Sequence, residues 1–111
     1  MVKMSFNPFQ VILDVFNEQY PGFDCQVNFV SNLYDNEGAY GVAEMLDDGG
    51  WIVAIDVETP IDGAIEVLAH ELAHVAAGPG DKHGKKWNRI FTKINDCFNI
   101  KSCEMIALME E

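Results

Sequence analysis

His70-Glu71-Leu72-Ala73-His74, with His83 nine residues further on, brings together all three histidines of this 111-residue chain. On a helix turning by about 100° per residue, positions 70 and 74 lie one turn apart on nearly the same face, so both imidazoles can reach one ion. Glu71 stands beside that face, where its carboxylate can touch a water at the ion without binding the ion itself. A catalytic zinc takes three protein ligands and keeps the fourth position for water or substrate. His83 can fill the third place, with Glu104 and Asp81 as the alternatives. A lone histidine is more often a satisfied surface or core residue than a ligand. A His-Glu-x-x-His pattern on a predicted helix is a more specific signal, and it reads as a catalytic zinc site with Glu71 as the general base. Zinc held by neutral imidazoles lowers the pKa of water from 15.7 to about 7, and Glu71 would take the proton and later deliver it to a leaving amine.

The elements that must position these groups can be read from spacing. Thr59-Pro60-Ile61-Asp62 offers an N-cap threonine, a first-turn proline and an acidic residue near the positive end of the helix dipole. Ile65, Leu68, Leu72 and Val75 then form an apolar stripe, predicting a helix over residues 60–77. Gly78-Pro79-Gly80 ends it and lets the chain bring His83 back towards the first two histidines. Trp87, Ile90, Phe91, Ile94 and Phe98 mark a further amphipathic helix, and residues 100–111 allow a short terminal helix begun by Ser102.

Upstream, Asn7-Pro8-Phe9-Gln10 reads as an N-cap, a first-turn proline and a capping-box glutamine. Phe9, Ile12, Leu13, Phe16 and Tyr20 form a core-facing stripe that stops at Pro21-Gly22. Residues 25–31 alternate as a strand, with Val27 and Phe29 on one face; residues 32–38 read as a loop or wide turn. Residues 39–46 and 51–57 flank Asp47-Asp48-Gly49-Gly50, a sequence suited to a tight antiparallel connection. Trp51, Val53, Ile55 and Val57 are the expected inward face of the second of these strands. The expected fold is α+β: an N-terminal helix, a three-stranded mainly antiparallel sheet, the His-Glu-x-x-His helix and a C-terminal helix, with helices packed on one face of the sheet.

Composition bounds the function. A length of 111 residues, 49% hydrophobic and 11% aromatic, suits one domain over residues 1–111 with a core that needs no disulfides. Cys25, Cys97 and Cys103 are odd in number and scattered, so free thiols are expected. Met1-Val2-Lys3-Met4-Ser5 is too short and polar for a signal h-region, and no apolar run approaches a membrane span, which predicts a soluble, cytoplasmic protein. The net charge of −11, with only 7 lysines and arginines, opposes phosphate backbones and anionic lipid. The one basic cluster, residues 82–89, adjoins the histidines.

His70-Glu71-Leu72-Ala73-His74 together with His83-Gly84-Lys85-Lys86-Trp87, preceded by a short hairpin, resembles the SprT-like zinc metallopeptidases and their relatives of the YgjP type. The resemblance covers roughly residues 39–98 and is carried mainly by the His-Glu-x-x-His motif. It implies a minimal zincin-like fold, zinc at His70, His74 and His83, Glu71 as general base, and a peptide or protein substrate. By the same analogy, an extended peptide would add to the sheet edge at residues 39–46. Tyr40, Lys85 and Arg89 are candidates to stabilise the oxyanion. Neither nucleic acid nor membrane is expected as a partner, and the oligomeric state is not readable. The competing readings are a non-catalytic zinc-stabilised binding module, in which Glu71 is idle, and a metal-dependent nuclease, which the acidic surface disfavours.

Overall fold

The computed structural model of the chain describes residues 7–80 and 82–109; residues 1–6, which include Met1-Val2-Lys3-Met4-Ser5, together with Asp81 and the last two residues, lie outside them. The elements run α1 (Pro8–Gln19), β1 (Cys25–Val30), α2 (Leu33–Glu37), β2 (Gly41–Met45), β3 (Trp51–Asp56), α3 (Ile61–Ala77) and α4 (Lys85–Met109). The α+β class and the order of the expected helices and strands hold. The sheet is mixed, in the order β1-β3-β2: β3 lies in the centre, parallel to β1 and antiparallel to β2.

Helix α1 begins as its sequence dictates. Asn7 caps it, its side-chain oxygen accepting from the backbone N–H groups of Phe9 at 3.1 Å and Gln10 at 3.4 Å. Gln10 does not complete a capping box, because its amide donates instead to Asp14 one turn on. Ile12 and Phe16 are buried as expected, and Val11 and Val15 are buried with them. The β2–β3 hairpin closes through Asp47-Asp48-Gly49-Gly50, with Leu46 N–H donating to Gly50 O at 2.7 Å. In β3, Trp51, Val53 and Ile55 join the helices in the core, whereas Val57 lies beyond the strand end and is 54% exposed. On β1, Val27 packs against the core, and Phe29 on the same face meets Phe9 edge-on with centroids 5.1 Å apart. Residues 33–37, expected as loop, form the short helix α2 closed by Gly38. Five polar-rich residues carry too little periodicity to announce a helix.

Helix α3 holds the fold together, since it packs against β2, β3, α1 and α4. Its start differs from the sequence expectation: Pro60 is the cap residue, and Thr59 Oγ1 is buried without a hydrogen-bond partner among the described residues. The expected stripe is buried at Leu68, Leu72 and Val75, and a second row of small residues, Ala64, Ala69, Ala73 and Ala77, is buried beside it. β2 crosses α3 closely at Gly41, where a Cβ would run into Val67 Cγ1 and sit 3.2 Å from Glu71 Cγ. Helix α4 is continuous to Met109, so Ser102 lies within it, buried with its hydroxyl unpartnered, and starts no new helix. Among the described residues no helix is long and apolar enough to cross a membrane.

Two backbone positions should be intolerant of side chains. Gly78 closes α3 at φ 91° and ψ 164°, a region that is nearly glycine-only, and its N–H donates to His74 O at 3.0 Å. Gly78→Val should therefore cost about 1–3 kcal/mol in urea denaturation and weaken metal retention with it. Gly41→Ala should destabilise by about 1–3 kcal/mol, because the stiff β-branched Val67 on a buried helix cannot move aside. Unchanged midpoints in either variant would show that the turn or the strand crossing has been misread.

Candidate metal centre

Three imidazoles converge at the C-terminal half of α3. Nε2 of His70 lies 3.3 Å from Nε2 of His74 and 3.0 Å from Nε2 of His83, and the His74–His83 distance is 2.9 Å. The i, i+4 spacing on α3 aligns the first two rings, and the reversal after Gly78 delivers the third. A neutral imidazole nitrogen either donates or accepts, so a triangle of three such atoms cannot pair off its hydrogen bonds, whereas a shared cation satisfies all three lone pairs. Nitrogens about 2.0–2.1 Å from one tetrahedral ion stand about 3.3 Å apart, close to the observed edges. The donor set therefore fits a metal ion.

Two devices hold His83 in place. Its backbone is left-handed, at φ 59°, an uncommon state for a residue other than glycine and one that concentrates at functional sites. Below it, Trp87 from the first turn of α4 meets His83 edge-on at 4.6 Å and stacks on Phe91 at 4.9 Å. The Trp87 indole N–H donates to His70 O at 3.2 Å, tying the base of α4 to the helix that carries the other two histidines. The alternatives for the third position fall away or lie outside view. Glu104 lines a separate hollow with Glu18 and Lys101 at the α1–α4 contact, and Asp81 is outside the described residues.

Glu71 is 7% exposed, and no hydrogen bond to its carboxylate is found among the described residues. Helical geometry explains the burial: about 100° from His70, it stands between the histidine face and the buried Leu68–Leu72 face. Burial raises its carboxyl to about 7. His70 is lowered to about 4 by burial and by the neighbouring His74 and His83, so it is neutral, the form a metal requires, at physiological pH.

The triad and Glu71 lie where two cavities meet. One, of about 730 Å³, is lined by Tyr34, Tyr40, Asp56, Glu66, His70 and Glu71, among others. The other, of about 700 Å³, is lined by Met45, Trp51, His70, Glu71, His74 and His83, among others. Both touch Gly41, so together they form a cleft running along β2. β2 is an edge strand. Its register, with Asp56 N–H donating to Tyr40 O and Leu46 N–H to Gly50 O, turns the backbone groups of residues 40, 42, 44 and 46 towards β3. Those of Gly41, Ala43 and Met45 face outwards along the cleft. Of the oxyanion candidates, Tyr40 lines the cleft, while Lys85 and Arg89 are exposed and line neither cavity.

Sequence reasoning missed Asp56. It is 5% exposed, and its carboxylate accepts from the backbone N–H of Tyr34 and of Glu58, both at 2.9 Å, which lowers its pKa. Its own N–H donates to Tyr40 O at 2.8 Å. One residue thus fixes both tyrosines of the cleft, whose rings stack at 4.4 Å. An aspartate ending a strand just before a turn was the available signal.

No curated protein and no solved structure matches the chain at a significant level. A family model does match, and its span contains the end of β3, all of α3 with its histidine pair, His83 and most of α4. Over residues 55–106, a little under half of the chain, it matches the model of the SprT-like family.

Proposed function

We propose that the protein is a zinc-dependent metallopeptidase in which His70, His74 and His83 hold the ion and Glu71 is the general base. The observation that carries this reading is the largely buried Glu71, with no hydrogen bond to its side chain found among the described residues, beside three converging imidazoles in a cleft under an open strand edge. The SprT-like match over the same residues supports it.

Zinc bound there would supply Lewis acidity, polarising a carbonyl and lowering the pKa of water to about 7. The chain's own groups do the rest. Gly41, Ala43 and Met45 offer outward N–H and C=O groups to an extended peptide, which pairs most stably antiparallel to β2 and so has its scissile bond held beside the histidines. Glu71, fixed by burial against the sheet, accepts the proton of the attacking water and returns it to the leaving amine. Tyr40, which lines the cleft, would donate a hydrogen bond to the carbonyl oxygen as it gains charge.

Three outcomes are expected. The purified protein should retain one zinc per chain by elemental analysis, and a chelator should lower its melting temperature, since a ligand that binds only the folded state stabilises it. A metal-free protein indifferent to added zinc contradicts the assignment. His83→Ala should lose zinc affinity while Glu104→Ala keeps it; the reverse would move the third ligand to α4. Glu71→Gln should keep zinc content and thermal stability but lose peptidase activity by a factor of about 10² to 10⁴. Equal activity in both proteins removes Glu71 as base, and expulsion of zinc by the substitution would favour a zinc-stabilised binding module.

A further inference from the structure

The two halves of the cleft differ in charge. The cavity at the Tyr40 end of β2 is lined by Asp35, Asp56, Glu58, Glu66 and Glu71, and by no lysine or arginine. The cavity at the Met45 end has Lys82 and His83, and Glu71 as its single carboxylate. Of these carboxylates Asp56 and Glu71 are buried, while Asp35, Glu58 and Glu66 are exposed. Glu71, nine-tenths buried and without a hydrogen-bond partner among the described residues, faces it at its inner end. At its outer end stand Tyr34 and Tyr40, stacked at an interplanar angle of 16° and held by Asp56. Carboxylates around an aromatic wall are the chemistry that receives a cation carried on an apolar stem, through charge attraction and through the negative faces of the rings.

The direction of β2 sets which part of a peptide meets which half. A peptide antiparallel to β2 runs from the Met45 end towards the Gly41 end. Its residues C-terminal to the bond facing the histidines then lie over the acidic cavity. We infer that this cavity is a specificity subsite for a lysine or arginine side chain immediately C-terminal to the scissile bond. Glu66 and Glu58, both exposed, are the specificity-determining residues, and the tyrosine pair is their aromatic wall. The placement relative to the bond rests on the peptidase reading; the preference for a cation rests on the cavity.

The test separates the two. Short end-blocked, fluorescent peptides that differ at one position, with lysine, norleucine or glutamate, are titrated by polarisation against zinc-loaded Glu71→Gln protein, which reads binding without turnover. The lysine peptide should bind about tenfold tighter than the norleucine peptide, with the margin shrinking as salt is added. In the doubly exchanged Glu58→Lys, Glu66→Lys protein, the order should invert in favour of the glutamate peptide. Equal binding of lysine and norleucine peptides, or a lysine preference that survives the charge inversion, overturns the subsite. The same peptides are then incubated with wild-type protein and the products read by mass spectrometry. Cleavage on the N-terminal side of the lysine supports the placement, and cleavage only at bonds where the lysine falls N-terminal overturns it. A lysine preference in binding with no cleavage of any peptide supports the cation subsite and removes the peptidase reading.

Discussion

The burial of α3 on nearly all sides is the constraint from which the rest of the structure follows. Leu68, Leu72 and Val75 are buried in the core, and Ala69, Ala73 and Ala77 present only methyl groups, so neighbouring elements can approach closely. A helix gripped in this way cannot rotate, and a rotation of one residue would carry His70 and His74 out of the cleft. Their alignment is therefore fixed by apolar packing well away from the imidazoles. The same packing places Glu71 at the boundary between core and cleft, where an acid is costly to keep and finds no hydrogen-bond partner among the described residues.

The third histidine is positioned by different means, because it stands beyond the helix end and no helical repeat aligns it. A reversal at Gly78, a left-handed residue at position 83 and the Trp87 indole beneath it bring its nitrogen to within 3.0 Å of its counterpart on His70. The Trp87 hydrogen bond to His70 O means that α3 and α4 are joined at the site by protein contacts alone. A cation at the three nitrogens would add a second link across the same junction.

The sequence was legible wherever a local rule sufficed. The histidine spacing, the Asn7 cap, the glycine-rich turn between β2 and β3, and the stop at Gly78 are all decided within a few residues, and each appears where it was expected. What needed the whole fold was not legible. Alternation over six residues marks β1 as a strand but does not say that it runs parallel to β3, since direction is set by the connection through α2 and β2. Val57 continued the alternation of β3 on paper, yet pairing ends at Asp56, whose side chain turns to bind the start of α2. Gly41 falls inside the strand read over residues 39–46, and its close approach to Val67 exists only once β2 is laid across α3.

An unpaired strand edge also carries a hazard. Gly41, Ala43 and Met45 turn their hydrogen-bonding groups outwards to any extended chain, a second copy of this protein included. Several features work against that outcome. β2 has only five residues, Glu44 within it is exposed, and Asp47 and Asp48 stand at the turn that follows. A net charge of −11 repels copies at range. The acidity that the sequence spreads over its surface therefore acts as a gatekeeper against fibrous self-association, leaving the strand edge open without making it sticky to its own kind.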